Sequence, residues 1–579
     1  MLGFAVACWL GMAPAADGAS PAEILALRLQ PCPAYRVAQD REHSADAVQA
    51  AKAGTFAMTY AGPAVLIVPV DWDMDPYANR NWMHHLHSFR WLDQLLYAYV
   101  HDGDLDALAQ ARDLALDWIA ANPLPAGDPG NAWGGKTVGD RAGYLGFVTR
   151  AAACTGLLSD PQASTLIDSL RTHGAALTDP DRYHPTNHGM FDDLGLALAG
   201  EYLDFLPEGG GWVALARERF RATLASRLDP DDGIWLEHSS AYQFVLIRLV
   251  ERFAGMFGTA PLVADLARMR EVAGWFVMPD GRMAPVGDSG SGLPEPWAVE
   301  EGADDAGLRM MKRAGFAMVK HGNGYLIVTA GFHNHTHKHE DDLGFHLYDR
   351  GRDVVSDSGN YTYNYDKWRS FAISHRAHSV LSVGDRRFPI WKDDAVYGSG
   401  IRAGGKGAGW YAIEGRNPML RRRGVRHRRV FLYRPGRALL VIDIVRSRRG
   451  HTYNRRFQLA SELRSSRHGK RLGLRAGGFH GALIASDKRT RLSLATGRKT
   501  PPEGWSFPRG GTRIARTTAE YRTRGASVDL VAAIGLNGAV RARVLRVNRR
   551  SVAVAVRGLG RRSVVWVSRR GDRLFVSRG

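Results

Sequence analysis

Cysteine is scarce in this chain: three residues in 579, at positions 8, 32 and 154. Apart from Cys8 near the start, only Cys32 and Cys154 remain, too few for a disulfide framework, and spacing alone does not say whether they pair. Long apolar runs are missing too. No window has the roughly 18 apolar residues of a membrane-spanning helix, so no transmembrane segment is expected. The opening LGFAVACWLGMAPAA is apolar and ends in Ala13-Pro14-Ala15, which has the A-x-A form of a signal-peptide cleavage site. It lacks a basic lead-in, so either the start is truncated or the stretch is a hydrophobic tail; residues 1–20 are read as a signal remnant, and the mature protein is expected to be periplasmic or secreted. Ala5-Val6-Ala7-Cys8 has too little apolar sequence before it for a lipoprotein box. Acidic residues are scarce in the second half. Residues 301–579 hold 56 Lys and Arg against 21 Asp and Glu, whereas residues 1–300 hold 21 against 37. A basic half concentrates polyanions. The run Arg421-Arg422-Arg423-Gly424-Val425-Arg426-His427-Arg428-Arg429 fits either a polyanion contact or exposed strand faces.

At 579 residues, 45% hydrophobic and 23% charged, the chain is an ordinary globular protein of about two domains. From Ala22 to Trp297 the apolar spacing is helical. Trp82, Leu86, Phe89, Leu92, Leu96 and Tyr99 recur at three and four, as do Leu108, Ala111, Ala115 and Trp118. Further helices are expected over Gln162–Thr172, Leu194–Leu206, Trp212–Arg227, Ser240–Phe257 and Pro261–Val277. Many such helices on short loops curl into a double-layered α/α toroid with a groove at one end. The acidic, Pro/Gly-rich stretch at 293–307 marks a boundary, and beyond it the spacing becomes two: Phe316–Val319, Tyr325–Val328, Phe345–Tyr348, Leu439–Val445, Ser551–Val556 and Ser563–Val567. The fold expected is α+β and multidomain: an incomplete α/α toroid over 21–300, then an antiparallel β-sandwich over 308–579.

Chemistry concentrates between His333 and His378. His335, His337, His339 and Asp341 alternate, so in an extended chain they would share one face, as suits a metal or a charged ligand; Asp357 follows a short strand later. Three places in the helical half are also dense in polar groups: Asn79–His87, Pro185–Asp193 and Asp232–Gln243. Taken singly, Asn187-His188-Gly189 is a helix start with Asn as cap, and Tyr242 is a core tyrosine.

Together these pieces resemble the heparinase II/III-like polysaccharide lyases. The resemblance lies in NRNW from residue 79, NHGMFDDLGL from 187, EHSSAYQ from 237, PDGRMAPVGDS at 279–289, HKHEDDLGFHLYDRGRDVVSDSGNYTY from 337 and RAHSVLSVGD from 376. It implies an incomplete helical toroid followed by antiparallel sheets, and cleavage of a uronic-acid-containing polysaccharide by β-elimination. Asn187, His188 and His337 would neutralise the uronate carboxylate. Tyr242 would remove the C5 proton and protonate the leaving oxygen, with His188 as the base for the opposite epimer. Glu237, Tyr363 and Arg376 would contact the sugar. His339, Asp357 and His378 would hold a structural zinc, two imidazoles and a carboxylate suiting a tetrahedral site. The resemblance alone separates His337 from the ligands; a metal cluster of His335, His337, His339 and Asp341 is the alternative. The family usually has Asn after the last histidine, where this chain has Ser379. Subsites are expected around Arg80, Asn81, His85, Trp133 and Arg141, with Trp133 equally readable as a core residue.

Two other functions fit the same residues. One is a glycoside hydrolase using Asp192 or Asp193 with Glu237. The other is a non-catalytic polyanion-binding protein using the basic half. No nucleic-acid motif accompanies the arginines, so no specific nucleic-acid partner is expected.

Overall fold

The computed structural model describes residues 18–37, 44–59, 61–127, 129–258 and 260–579. The expected signal remnant therefore lies, but for its last three residues, outside the described residues. The chain forms two compact units: residues 1–226 with 255–257, and residues 227–254 with 258–579.

The first unit is the helical toroid. Its later helices are Arg80–His87, Asp93–Asp102, Leu105–Ala121, Thr137–Cys154, Asp160–Thr178, Asn187–Tyr202 and Pro207–Arg227. Several of these starts are capped by side chains. Asp104 accepts from the Ala107 amide, and Ser159 with Gln162 closes a capping box. Helix Thr137–Cys154 is buried almost all round, so its neighbours must approach closely. Small residues allow this: a Cβ on Gly195 would stand 1.9 Å from the Gly139 carbonyl oxygen. Cys32 and Cys154 form a disulfide across 122 residues, pinning the early segment to the end of that central helix. Among the described residues no helix is long and apolar enough to cross a membrane.

The second unit opens with helices Ser240–Phe257 (to Ala254) and Ala260–Ala273 and then becomes β-structure. The Pro261–Val277 helix expected from spacing breaks at Gly274 into a 3-10 turn, Gly274–Phe276. The last helix before the β-region is Pro296–Ala303, and the first strand of that region is Gly307–Met311. A five-stranded antiparallel sheet follows chain order: Gly307–Met311, Phe316–His321, Gly324–Thr329, Gly344–Asp349 and Arg352–Val355. A twelve-stranded and a four-stranded sheet complete the sandwich. One apolar core joins all three: Val328 and Phe345 from the first, Phe431, Val441 and Ile534 from the second, Phe457 and Tyr521 from the third. A second core packs the other face of the twelve-stranded sheet, among Leu432, Leu440, Val554 and Val567.

Candidate active site

In the β-rich unit, two segments far apart in sequence are stitched together. The first, 236–243, ends in helix Ser240–Phe257 and carries Tyr242 on its first turn. The second, 333–343, connects strands Gly331–Phe332 and Gly344–Asp349 and carries His337. His238 makes the join: its Nε2 accepts from the His333 amide at 2.8 Å, and its Nδ1 reaches the Thr336 carbonyl at 3.2 Å. Asn334 adds a bond from its Nδ2 to the Leu236 carbonyl at 2.8 Å. His238 has φ 63° and His337 φ 56°. Both conformations are uncommon for residues with a Cβ, and these contacts hold them.

The alternating histidines therefore do not share a face. The loop turns instead of extending, and each side chain finds its own partner. His335 donates Nδ1–H to the Ile390 carbonyl and pairs with Asp393. Asp341 and Asp342 take the buried Lys338, and Glu340 takes His375 and Arg387. This corrects the single-cluster metal alternative of His335, His337, His339 and Asp341. Most of the charge in the stretch neutralises its own buried neighbours.

His337 belongs to a different set. Its ring stacks on Tyr242 with centroids 3.6 Å apart. The Tyr242 hydroxyl lies 3.0 Å from that of Tyr363, which is 3.4 Å from His337 Nδ1. On its other side His337 Nδ1 donates to Asp288 Oδ2 at 2.9 Å, while its Nε2 is 3.8 Å from Glu237. Asp288 also accepts from His339 Nε2 at 2.8 Å and from both terminal nitrogens of Arg369. Burial alone would raise the Asp288 carboxyl, but Arg369 and the imidazoles hold it well below the usual carboxylate range. Burial, with the charge of Asp288, pushes the Tyr363 hydroxyl well up, so it stays protonated. Glu237 is fully buried and burial raises its pKa. Gly287 (φ 64°) precedes Asp288, and a Cβ there would come within 2.3 Å of the His238 carbonyl oxygen, so the turn needs glycine.

Asp288 and Arg369 are the residues the sequence reading missed. Asp288 lies inside PVGDS, where a Gly-Asp-Ser after a buried run was the available signal. Arg369 had none: it sits in the short helix Lys367–Ala372 and reaches the site only through the fold.

Next to this set lie the three residues expected to hold zinc. His378 Nδ1 hydrogen-bonds Asp357, and the His339 and His378 rings are 5.2 Å apart. His339 Nδ1, His378 Nε2 and Asp357 Oδ2 are all buried without a hydrogen-bond partner. Two bare imidazole nitrogens and a bare carboxylate oxygen are the donor set of a tetrahedral cation site, and the residues fit zinc in that chemical sense. Among the described residues no three such side chains stand pre-assembled around a common point. Arg376 pairs with Glu503 at 3.2 Å.

In the helical unit, helix Asn187–Tyr202 starts at Asn187, and the cap is Thr186, whose hydroxyl accepts from the His188 amide at 3.2 Å. Asn187 is buried and His188 exposed. Arg80 is exposed, Asn81 half-buried and His85 buried. Arg141 is fully buried, donating to His173 and to the His87 and Ala132 carbonyls and lying 3.8 Å from the Trp118 ring centroid; Trp133 is buried with it. Asp193 holds Arg219 and Tyr183.

Comparison with known proteins bears on the fold. Residues 303–551 match the family model described as Heparinase II/III-like, C-terminal. A crystal structure of heparinase III aligns with a TM-score of 0.80 at 17% identity, covering 94% of both chains. Another heparinase III aligns at 0.70 and 15% identity, over 94% of this chain and 93% of that one. The heparan sulfate lyase HepC from Pedobacter heparinus aligns at 0.66 and 16%, over 94% and 93%. No curated protein matches in sequence. Residues 303–551 thus match the heparinase II/III-like C-terminal model, and over 94% of its length the chain has the toroid-and-sandwich fold of heparinase III.

Proposed function

We propose that this protein is a polysaccharide lyase that cleaves a uronic-acid-containing polysaccharide by β-elimination. The observation that carries the reading is the contact set of Tyr242, Tyr363 and His337, a phenol held between a second phenol and an imidazole. Fold likeness to heparinase III and to a heparan sulfate lyase supports it and puts heparan-type chains first among substrates to try.

The chemistry follows from the groups. Elimination removes the C5 proton, forms the C4–C5 double bond and expels the C4 glycosidic oxygen, which takes a proton. A phenol ordinarily ionises near pH 10, so a Tyr242 base needs a donor for its oxyanion. The protonated Tyr363 hydroxyl, 3.0 Å away, is one. Tyr242, once protonated, can return that proton to the leaving oxygen. Asp288 occupies His337 Nδ1–H, so only the doubly protonated imidazolium of His337 would donate to the uronate carboxylate, through Nε2–H. Asn187 and His188 are further carboxylate donors by resemblance.

Zinc, if held by His339, Asp357 and His378, would supply a fixed positive charge that fixes the loop carrying His337 through His339. The Cys32–Cys154 disulfide supports an oxidising compartment, periplasmic or extracellular. The test is a panel of uronic-acid polysaccharides (heparan sulfate, hyaluronan, alginate, bacterial capsules) scored for the ultraviolet absorbance of the unsaturated product. Saturated products, or none from any member, would sink the reading.

A further inference from the structure

The arginine run left undecided by the sequence divides in two. His427 and Arg429 are buried on Asp443, and Arg428 reaches Glu414. These serve the sandwich. Arg421 and Arg422 are exposed and Arg423 half-buried, on the 3-10 turn Pro418–Arg423. That turn packs beside loop 385–396: Arg423 donates to the Arg387 carbonyl at 3.0 Å, and Arg422 pairs with Asp394 at 2.6 Å. Met419 and Leu420 beneath the turn share one apolar cluster with Phe388, Ile390 and Ala395 beneath the loop.

On this supported loop Trp391 is 56% exposed. A single exposed apolar residue needs no explanation, but this one is displayed on a loop with a buried framework that carries Arg386, Arg387 and Lys392, while Asp393 and Asp394 are taken by His335 and Arg422. Arg386, Lys392, Arg421 and Arg423 have no ion-pair partner among the described residues, whereas Arg387 and Arg422 do. Burial and the neighbouring Arg386 guanidinium lower the pKa of Arg423, a sign of like charges held close. The same loop is tied to the His337 loop, because His335 bonds both Ile390 and Asp393 at 2.7 Å.

We infer that Trp391 with Arg386, Lys392, Arg421 and Arg423 forms a binding platform for the acidic polysaccharide chain, outside the sugars that react at Tyr242. The indole offers a flat apolar face to the C–H face of a sugar ring, and the cations meet carboxylate or sulfate groups on either side. Stacking plus flanking charge is chemistry for a polyanionic sugar chain, and it rests on the lyase reading for the identity of that chain.

The test uses the full chain carrying Tyr242→Phe, so that substrate is not consumed, with heparan sulfate as probe and binding measured at about 50 and 200 mM salt, where released counterions report charge contacts. Trp391→Ala, and separately Arg386→Ala/Arg421→Ala/Arg423→Ala, should weaken binding by about tenfold, as loss of an aromatic or arginine anchor does. The triple variant should also flatten the salt dependence. A charge-matched control, Arg541→Ala/Arg543→Ala/Arg546→Ala on strand Arg541–Val547, should bind within about twofold of the parent. Platform variants binding like the parent, a control that loses as much, or an equal loss on duplex DNA would each overturn the inference. Wild-type turnover separates the two readings. Trp391-dependent binding without unsaturated product removes the lyase and keeps the platform. Full turnover with Trp391-independent binding removes the platform alone.

Discussion

Replacing Asp288 by Asn tests the electrostatics of the site most sharply. The carboxylate accepts from His337 at 2.9 Å, from His339 at 2.8 Å and from both ends of the Arg369 guanidinium. An amide of the same shape keeps one acceptor oxygen and turns the other position into a donor. It can satisfy Arg369 or an imidazole, not all of them. The Arg369 side chain is 8% exposed, so its charge would lose its partner in a place water barely reaches. Breaking a buried pair in this way costs about 3–5 kcal/mol. At about 2–4 °C per kcal/mol for a unit somewhat smaller than this one, the melting temperature should fall by roughly 10 °C. The catalytic effect is separate. Without an anion on Nδ1, His337 loses the partner that fixes its ring and tautomer, and kcat should fall about 10²-fold or more, with KM changing less. Calorimetry and initial rates of unsaturated product measure both. A variant keeping kcat within a factor of two and an unshifted melting temperature would mean that Asp288 neither neutralises Arg369 nor fixes His337.

Other consequences follow from the same contacts. The purified protein should carry about one zinc per chain; His378→Ala or a chelator should remove it and lower the melting temperature, and metal-free protein indifferent to chelator would rule zinc out. Three histidines of the helical unit are held neutral by burial: His84 with its pKa lowered to about 4, His87 to about 3, and His173 well below its usual value. The unfolded chain binds those protons near pH 6.5 and the folded one does not, so stability is whole above pH 6.5 and is lost as pH falls toward 4. At pH 5 the loss is about 2 kcal/mol for each histidine, readable as a lower urea midpoint than at pH 7.5; equal midpoints would contradict it. Cys32→Ser opens a loop of 122 residues and should cost about 2–5 kcal/mol, a loss that reducing agent should reproduce in the parent.

Periodicity carried the architecture, because burial of one face leaves a repeat in the sequence. Helix Ser240–Phe257 and strands such as Gly324–Thr329 stand where their apolar spacing put them. Helix Asn187–Tyr202 began seven residues earlier than its apolar repeat, since its first turn is polar and capped by Thr186. The 333–343 loop escaped for the opposite reason. Its alternation imitates a strand, and what bends it are bonds from His238 and Asn334 spanning about a hundred positions. Arg141 and Trp133 are polar and aromatic enough to suggest a sugar subsite, and they are buried against Trp118 and His173. Arg369 shows the limit: a side chain that matters only through a fold-made contact leaves no local trace.

In the proposed elimination Tyr242 moves the proton. Wild-type protein and Tyr242→Phe, matched in melting temperature, should be compared on the best polysaccharide of the panel by ultraviolet absorbance. Conjugated product is expected from the wild type and none above background from the variant; equal rates from both would take the proton transfer away from Tyr242.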